Sequence, residues 1–211
     1  MRILVACEES QAITKELRKL GHEAYSCDLL DCSGGHPEWH YKDDVFNVID
    51  YGWDMMIAHP PCTYLAVSGA RWLYNKDGTK NQDRWDKQKE ALDFVQRLMD
   101  APIDKIAIEN PISVISSNIR KPDQIVHPYM FGDKASKSTC FWLKNLPLLK
   151  PTNIVEKGEF IEFISKKGVK KKQAKWYFDA LKQAKTKEER RTLRSKTFKG
   201  MAEAIAKQWT I

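Results

Sequence analysis

The sequence has no long apolar run and no regular cysteine pattern. Even the longest apolar runs are short, such as residues 55–58, and this excludes a membrane-spanning helix. The five cysteines are odd in number and include no Cys-x-x-Cys pair, which argues against a disulfide framework and against a zinc site. We therefore expect a cytoplasmic protein with no metal ion and no membrane partner. The stretch 1–7 is too short for a signal peptide and is followed too soon by acidic residues, and it predicts a buried strand.

Acidic residues are scarce in one part of the chain only. The net charge is +7, and residues 156–199 hold 15 Lys and Arg against 6 Asp and Glu. The remainder holds 20 against 22. A basic segment of this kind predicts a polyanionic partner, because contacts to phosphates release counterions. The alternative is a solvated helical face rich in lysine.

Short apolar segments alternate with amphipathic helices over the first 110 residues. The patterns predict strands at 2–7, 22–28, 53–58 and 103–108, a short helical turn at 45–51, and helices at 10–20, with Ser10 as N-cap, and 84–99. Beyond them, they predict a strand at 138–143 and helices at 171–184, 187–194 and 201–209. This alternation indicates an α/β fold with a parallel sheet, whose ligands bind at the carboxyl ends of the strands.

Two motifs follow predicted strands directly. The first is His59-Pro60-Pro61-Cys62-Thr63, in which two prolines fix the backbone and present a cysteine at a strand end. The second is Glu109-Asn110-Pro111, in which a glutamate reaches a partly dry site and is suited to donate a proton. The ordinary alternatives are a buried structural cysteine and a capping or loop carboxylate.

Together these motifs resemble the DNA cytosine-5 methyltransferase family, and in particular its short phage-encoded branch. Cys62 and Glu109 are 47 positions apart, in the order and at the strand ends that the family uses. The resemblance covers residues 1–145, and a weaker resemblance extends over residues 197–209. It implies a class I S-adenosylmethionine-dependent methyltransferase fold, Rossmann-like and doubly wound, with a small basic helical appendage. It also implies that the protein is located in the cytoplasm of a bacterial or phage-infected host cell.

The resemblance implies methyl transfer to carbon 5 of cytosine in DNA. Cys62 is then the nucleophile that adds to carbon 6, and Glu109 protonates ring N3. Asn110 positions the Cys62 loop. The implied division of the chain is a catalytic domain at 1–151, the basic appendage at 152–196, and a C-terminal helix at 197–211 that returns to the catalytic domain.

The resemblance also implies binding residues. S-adenosylmethionine is expected at Cys7, Glu8, Ser10, Asp28, Leu29, Asp44 and Pro60. The DNA substrate is expected at Pro61, Asn110, Arg71, Lys137 and Thr139, with Lys170, Lys171, Lys172 and Lys175 on phosphates. The tract 68–74 is a candidate mobile loop, with Trp72 and Tyr74 as stacking faces, or else an ordinary helix that packs its aromatic side chains inward.

The sequence departs from the family at several positions. The loop at 6–10 has no glycine where the family carries a glycine-rich loop, and Thr63 stands where the family usually has Gln. The family's Gln-x-Arg-x-Arg motif is missing, and the chain is too short for a separate target-recognition domain. Two other functions therefore remain open: methylation of a free pyrimidine nucleotide, and nucleic-acid binding without catalysis.

Overall fold

The computed structural model describes residues 1–165 and 168–211, except the side chains at 187, 188, 190 and 191. Its strands are β1 Arg2–Ala6, β2 Glu23–Asp28, β3 His40–Lys42, β4 Met55–Ala58, β5 Lys105–Asn110, β6 Gln124–Val126, β7 Thr139–Lys144, β8 Phe160–Ile164 and β9 Lys170–Ala174. Its helices are α1 Ala12–Lys19, α2 Val45–Val48, α3 Gln82–Met99, α4 Ile115–Asn118, α5 Lys175–Gln183, α6 Lys187–Ser195 and α7 Lys199–Trp209.

The chain divides into two compact units. The first comprises 1–125, 138–148 and 206–211, and the second comprises 126–137 and 149–205. Short turns of 3-10 helix occur at Pro37–Trp39, Val67–Leu73 and Pro128–Met130.

The larger sheet has seven strands in the order β3-β2-β1-β4-β5-β7-β6. Strands β1 to β5 run parallel to one another, and β7 runs antiparallel to β5. All side chains of β4 are fully buried, as are those at 3–6 of β1, so the centre of the sheet is covered on both faces. The predicted α/β fold with a mostly parallel sheet is confirmed.

The second unit contains a two-stranded antiparallel hairpin, β8–β9, and the helices α5 and α6. The helix predicted at 171–184 is wrong over its first turn, because 170–174 is strand β9 and α5 begins at Lys175. Cross-strand pairing with β8 accounts for the difference: Phe163 lies opposite Lys171, and Glu162 lies opposite Lys172. The lysine run thus lies on a hairpin strand and not on a helical face.

Candidate active site

Four strands of the first unit end in one row at the same edge of the sheet. Ala6 pairs with both Cys27 and Ala58, and Ala58 pairs with Ile108. The residues one step beyond this row are Cys7, Asp28, His59 and Glu109. Because the chain winds outward in both directions from β1 and β4, the crevice between these two strands is where a ligand binds in such sheets.

Cys62 lies on a tight turn that directly follows β4. Its carbonyl oxygen accepts hydrogen bonds from the backbone N–H groups of Leu65 and Ala66, at 3.1 and 2.9 Å. The thiol-bearing residue is exposed, and so is Pro61, whereas Pro60 is buried. The start of the turn is therefore buried in the protein, while Cys62 is exposed to solvent.

Helix α3 holds the same turn from one side. The guanidinium group of Arg84 donates to the carbonyl oxygen of Thr63 at 3.0 Å, and the amide of Gln88 donates to that of Tyr64 at 2.9 Å. Gln88 is buried, so its hydrogen bond is shielded from water. Both carbonyl groups belong to the residues immediately after Cys62, and the position of the thiol thus depends on α3.

The loop after β5 holds the Cys62 turn from the other side. The amide nitrogen of Asn110 donates to the carbonyl oxygen of Pro60 at 2.9 Å, in a buried setting. Ala66 and Ser113 form an antiparallel bridge between the two loops. The sequence expectation that Asn110 contacts the Cys62 loop agrees with this hydrogen bond.

Glu109 is placed beside this loop by β5 and contacts a residue that sequence reasoning missed. Its Oε2 lies 3.2 Å from Nδ1 of His59, and both side chains are largely buried, with 16% and 14% exposed. Cys140 of β7 lies opposite Asn110. Burial raises the pKa of its thiol to about 11, and the charge of Glu109 adds to the rise. The register of β4 and β5 is the signal that places His59 next to Glu109.

The loop after β1 takes left-handed backbone conformations without any glycine. Cys7 has φ 57° and Gln11 has φ 55°, values that non-glycine residues rarely adopt. Ser10 does not cap α1 as expected, since Gln11 is the N-cap residue and makes no side-chain capping bond. The turn thus keeps a conformation for which glycine is the usual residue.

The side chain of Glu8 stabilises this loop and the start of α1. Its carboxylate is buried and accepts hydrogen bonds from the N–H of Ile13 at 2.7 Å and from the N–H and hydroxyl of Thr14 at 3.3 and 2.6 Å. A carboxylate at the start of a helix also offsets the helix dipole. These contacts occupy the side chain that the family resemblance assigned to the cofactor.

Three other residues expected at the cofactor lie near one another. Burial raises the pKa of the Cys7 thiol well above its usual range, and the charges of Asp28 and Asp44 raise it further. The carboxylate of Asp28 accepts from the N–H of Leu30 at 3.0 Å, and that of Asp44 caps α2 at Phe46 N–H. The neighbouring residue, Leu29, is 71% exposed. This corner combines two carboxylates with an exposed apolar side chain.

The tract after the Cys62 turn carries exposed aromatic residues. Trp72 and Tyr74 are 54% and 50% exposed, so the alternative in which these rings pack inward is wrong. The guanidinium group of Arg71 lies 4.5 Å from the ring centroid of Trp72. Of the two remaining residues expected at the substrate, Thr139 is fully buried at the start of β7, and Lys137 belongs to the second unit.

The basic segment has an exposed strand. Lys170, Lys171 and Lys172 are exposed on β9, while Lys175 forms an ion pair with Glu159 at 2.6 Å. Two further basic residues of 156–199, Lys166 and Lys167, lie outside the described residues. The three β9 lysines form an exposed cationic row, which we call the lysine strand.

Two kinds of site are not found among the described residues. No group of three or more His, Cys, Asp or Glu side chains there has the arrangement to hold a metal ion. No helix within 1–165 and 168–211 is long and apolar enough to cross a membrane.

Comparisons with known proteins complete the description. No family model and no curated protein matches the sequence. Among solved structures, the chain is similar to a prophage-encoded protein of Escherichia coli assigned as a DNA modification methyltransferase, with 12% identity and a TM-score of 0.44. The match covers 73% of this chain and 51% of that one, so this chain spans about half its length.

Proposed function

We propose that the protein transfers a methyl group from S-adenosylmethionine to carbon 5 of cytosine in DNA, through a covalent bond between Cys62 and carbon 6. The observation that carries the proposal is the placement of an exposed cysteine on the loop after β4 and of Glu109 near the end of the neighbouring strand β5, two segments that hydrogen-bond to each other. A nucleophile and a proton donor are the two groups that addition across a pyrimidine double bond requires.

The proposed reaction begins with the Cys62 thiolate. Its sulfur forms a bond to carbon 6, while Glu109 gives its proton to ring N3, and carbon 5 becomes enamine-like. Bound S-adenosylmethionine would supply the methyl group to that carbon, and S-adenosylhomocysteine would be the leaving product. Loss of the carbon-5 proton to a base then restores the double bond, the bond to Cys62 breaks, and Glu109 takes back the N3 proton. Glu109 thus stabilises charge on the ring in both halves of the cycle.

The corner at the ends of β1 and β2 fits the cofactor. A carboxylate at the end of the second strand is suited to ribose hydroxyl groups, which indicates Asp28. The exposed side chain of Leu29 offers an apolar surface for the adenine ring, with Asp44 nearby. Glu8 is the exception, because its carboxylate is buried and accepts three hydrogen bonds from α1.

Two surfaces favour DNA as the substrate. The exposed rings of Trp72 and Tyr74 follow the Cys62 turn in the chain and suit stacking on bases, with Arg71 beside them for a phosphate. The lysine strand adds exposed positive charge in the basic segment. A two-stranded ribbon such as β8–β9 is also an element that the DNA major groove admits.

The second candidate substrate is a free pyrimidine nucleotide, which the shortness of segment 152–196 favours. A mononucleotide needs few cations, so the excess charge of 156–199 argues for the polymer. The third alternative, a nucleic-acid-binding protein without catalysis, predicts no binding of S-adenosylmethionine.

The deciding experiment offers labelled S-adenosylmethionine with duplex DNA, single-stranded DNA and dCMP in parallel. We expect label in DNA, recovered as 5-methylcytosine after digestion to nucleosides, and little in dCMP. Cys62→Ala is expected to bind the cofactor without transferring methyl, and Cys7→Ala and Cys140→Ala to stay active. Recovery of a methylated amino group on cytosine or adenine would contradict the carbon-5 reaction, and substantial turnover by the Cys62 variant would contradict its mechanism.

A further inference from the structure

His59 is held by the sheet in a fixed relation to Glu109. Its N–H donates to the carbonyl oxygen of Ala6 at 2.9 Å, which continues the pairing of β4 with β1. Since Ala58 pairs with Ile108 in parallel register, the next residues on the two strands, His59 and Glu109, point to the same face. Backbone hydrogen bonds, and not loop flexibility, therefore set the 3.2 Å contact between Nδ1 and Oε2.

The contacts of the imidazole favour one tautomer. Nε2 of His59 is buried and has no hydrogen-bond partner among the described residues. A proton on this nitrogen would be a buried donor with nothing to accept it, which is rarer and costlier than an under-used acceptor. The arrangement therefore favours the tautomer with its proton on Nδ1, which donates to Glu109.

Two of the other titratable groups at this end of the sheet are buried thiols. Burial raises the pKa of the Cys140 thiol on β7 to about 11, and it raises that of Cys7 after β1 still further. Cys62 is exposed on the same loop as His59. The carboxylates that act on Cys7 are those of Asp28, at the end of β2, and Asp44, at the start of α2. Glu109 is thus the acidic group that the Nδ1 proton contacts.

We propose that His59 is the positioning residue of Glu109. This inference rests on the proposed function. The N–H of Nδ1 holds Oε2 and so fixes the orientation of the carboxyl group that gives the acid proton to the base. When that proton moves to ring N3, the same N–H stabilises the carboxylate that forms, and when the proton returns the hydrogen bond relaxes. His59 itself exchanges no proton with the substrate.

Two substitutions separate this role from simple packing. His59→Asn places an amide N–H the same number of bonds from Cβ as Nδ1–H, and His59→Leu fills the space without a donor. We expect the Leu variant to lose kcat about 10- to 100-fold, the range for one hydrogen bond to a charged group. In the pH profile of kcat for this variant, the alkaline limb moves to higher pH, because the ionised carboxylate of Glu109 is less stabilised. The Asn variant keeps most of the rate and the position of the limb.

A second readout does not depend on activity. In protein labelled with ¹⁵N-histidine, the ring of His59, assigned by its loss in His59→Asn, shows a protonated Nδ1 and a bare Nε2. Glu109→Ala removes this preference. A proton on Nε2 in the wild type would overturn the proposal. So would a His59→Leu variant whose kcat and alkaline limb are unchanged. Equal losses of kcat in His59→Leu and His59→Asn, with the alkaline limb unmoved, would also overturn it. Methyl transfer absent from the wild type, with the Nδ1 tautomer intact, would instead contradict the proposed function alone.

Discussion

The amide nitrogen of Asn110 lies 2.9 Å from the carbonyl oxygen of Pro60, and this buried hydrogen bond joins the end of β5 to the loop that presents Cys62. The residue before Asn110 is the proposed acid, and the residue two places after Pro60 is the proposed nucleophile. One side chain thus couples the positions of both reactive groups. Small displacements of such groups are costly to catalysis, so this contact is a direct target for mutation.

Asn110→Ala is expected to slow methyl transfer far more than it weakens cofactor binding. It leaves a buried carbonyl without its donor, which costs about 1–3 kcal/mol in the free energy of unfolding. Chemical denaturation and single-turnover rates measure the two effects. The matched control is Asn118→Ala, whose amide also donates to a backbone carbonyl but at an exposed site. Equal rates for the two variants would show that Asn110 does not position the loop.

Glu8→Ala is expected to destabilise the protein. The variant loses three hydrogen bonds at the start of α1, which we expect to lower the free energy of unfolding by about 1–3 kcal/mol. Glu9→Ala serves as the neighbouring control, because its carboxylate contacts the Ser33 hydroxyl and caps no helix. A stable Glu8 variant would contradict the capping role.

The cofactor site is tested by Asp28→Ala, which is expected to weaken binding of S-adenosylmethionine by about 1–3 kcal/mol. Glu8→Ala, at equal folded fraction, is expected to leave the affinity unchanged. Asp31→Ala is the control within the same loop, since its exposed carboxylate pairs with Lys42. Calorimetry that found the loss in the Glu8 variant and not in the Asp28 variant would reverse the assignment.

Thiol reactivity distinguishes the cysteines by pH. Burial disfavours the charged thiolate, so a pKa raised to about 11 at Cys140 and about 12 at Cys27 keeps both protonated near neutrality. At pH 8 roughly 0.1% of a thiol with a pKa of 11 is thiolate. We expect iodoacetamide to label exposed Cys62 first, and Cys140 to react only as the pH approaches 10 or more. Peptide mass spectrometry across pH checks this order, and early labelling of Cys140 would contradict it.

The lysine strand is tested by replacing Lys170, Lys171 and Lys172 together with Gln. DNA affinity is expected to fall about equally for all sequences, and the slope of log affinity against log salt to flatten by up to about 0.9 per lost phosphate contact. Lys19→Gln with Lys87→Gln is the control, because each lysine already pairs with a carboxylate on its own helix. Identical slopes for the triple variant and the wild type would show that these lysines are only solvated and do not contact phosphates. That result would favour the free nucleotide as the substrate.

The buried part of the fold was predictable because its sequence pattern is strong. Apolar runs predicted β1, β2, β4 and β5, and the alternation with helices predicted a parallel sheet. The three-residue strands β3 and β6 were missed, because they are too short to show a period. The lysine run at 170–172 was misassigned, since charge favours a helical interpretation and only pairing with β8 makes it a strand.

The candidate site was predictable where a motif directly follows a predicted strand, and less so where the register of the sheet brings two side chains together. The pair Cys62 and Glu109 follows from two motifs at strand ends. His59 was overlooked as a partner of Glu109, because the contact depends on the register of β4 and β5. Glu8 illustrates the converse, since a position inherited from the resemblance is used here to cap a helix.

The covalent bond between Cys62 and cytosine is the central claim, and trapping tests it most directly. DNA in which 5-fluorocytosine replaces cytosine cannot lose a proton from carbon 5, so after methyl transfer the adduct cannot resolve. With S-adenosylmethionine present, we predict a denaturant-resistant protein–DNA complex whose modified peptide contains Cys62, and none with Cys62→Ser. Methylation of normal DNA without any trapped complex, or a complex that maps to another residue, would contradict the account.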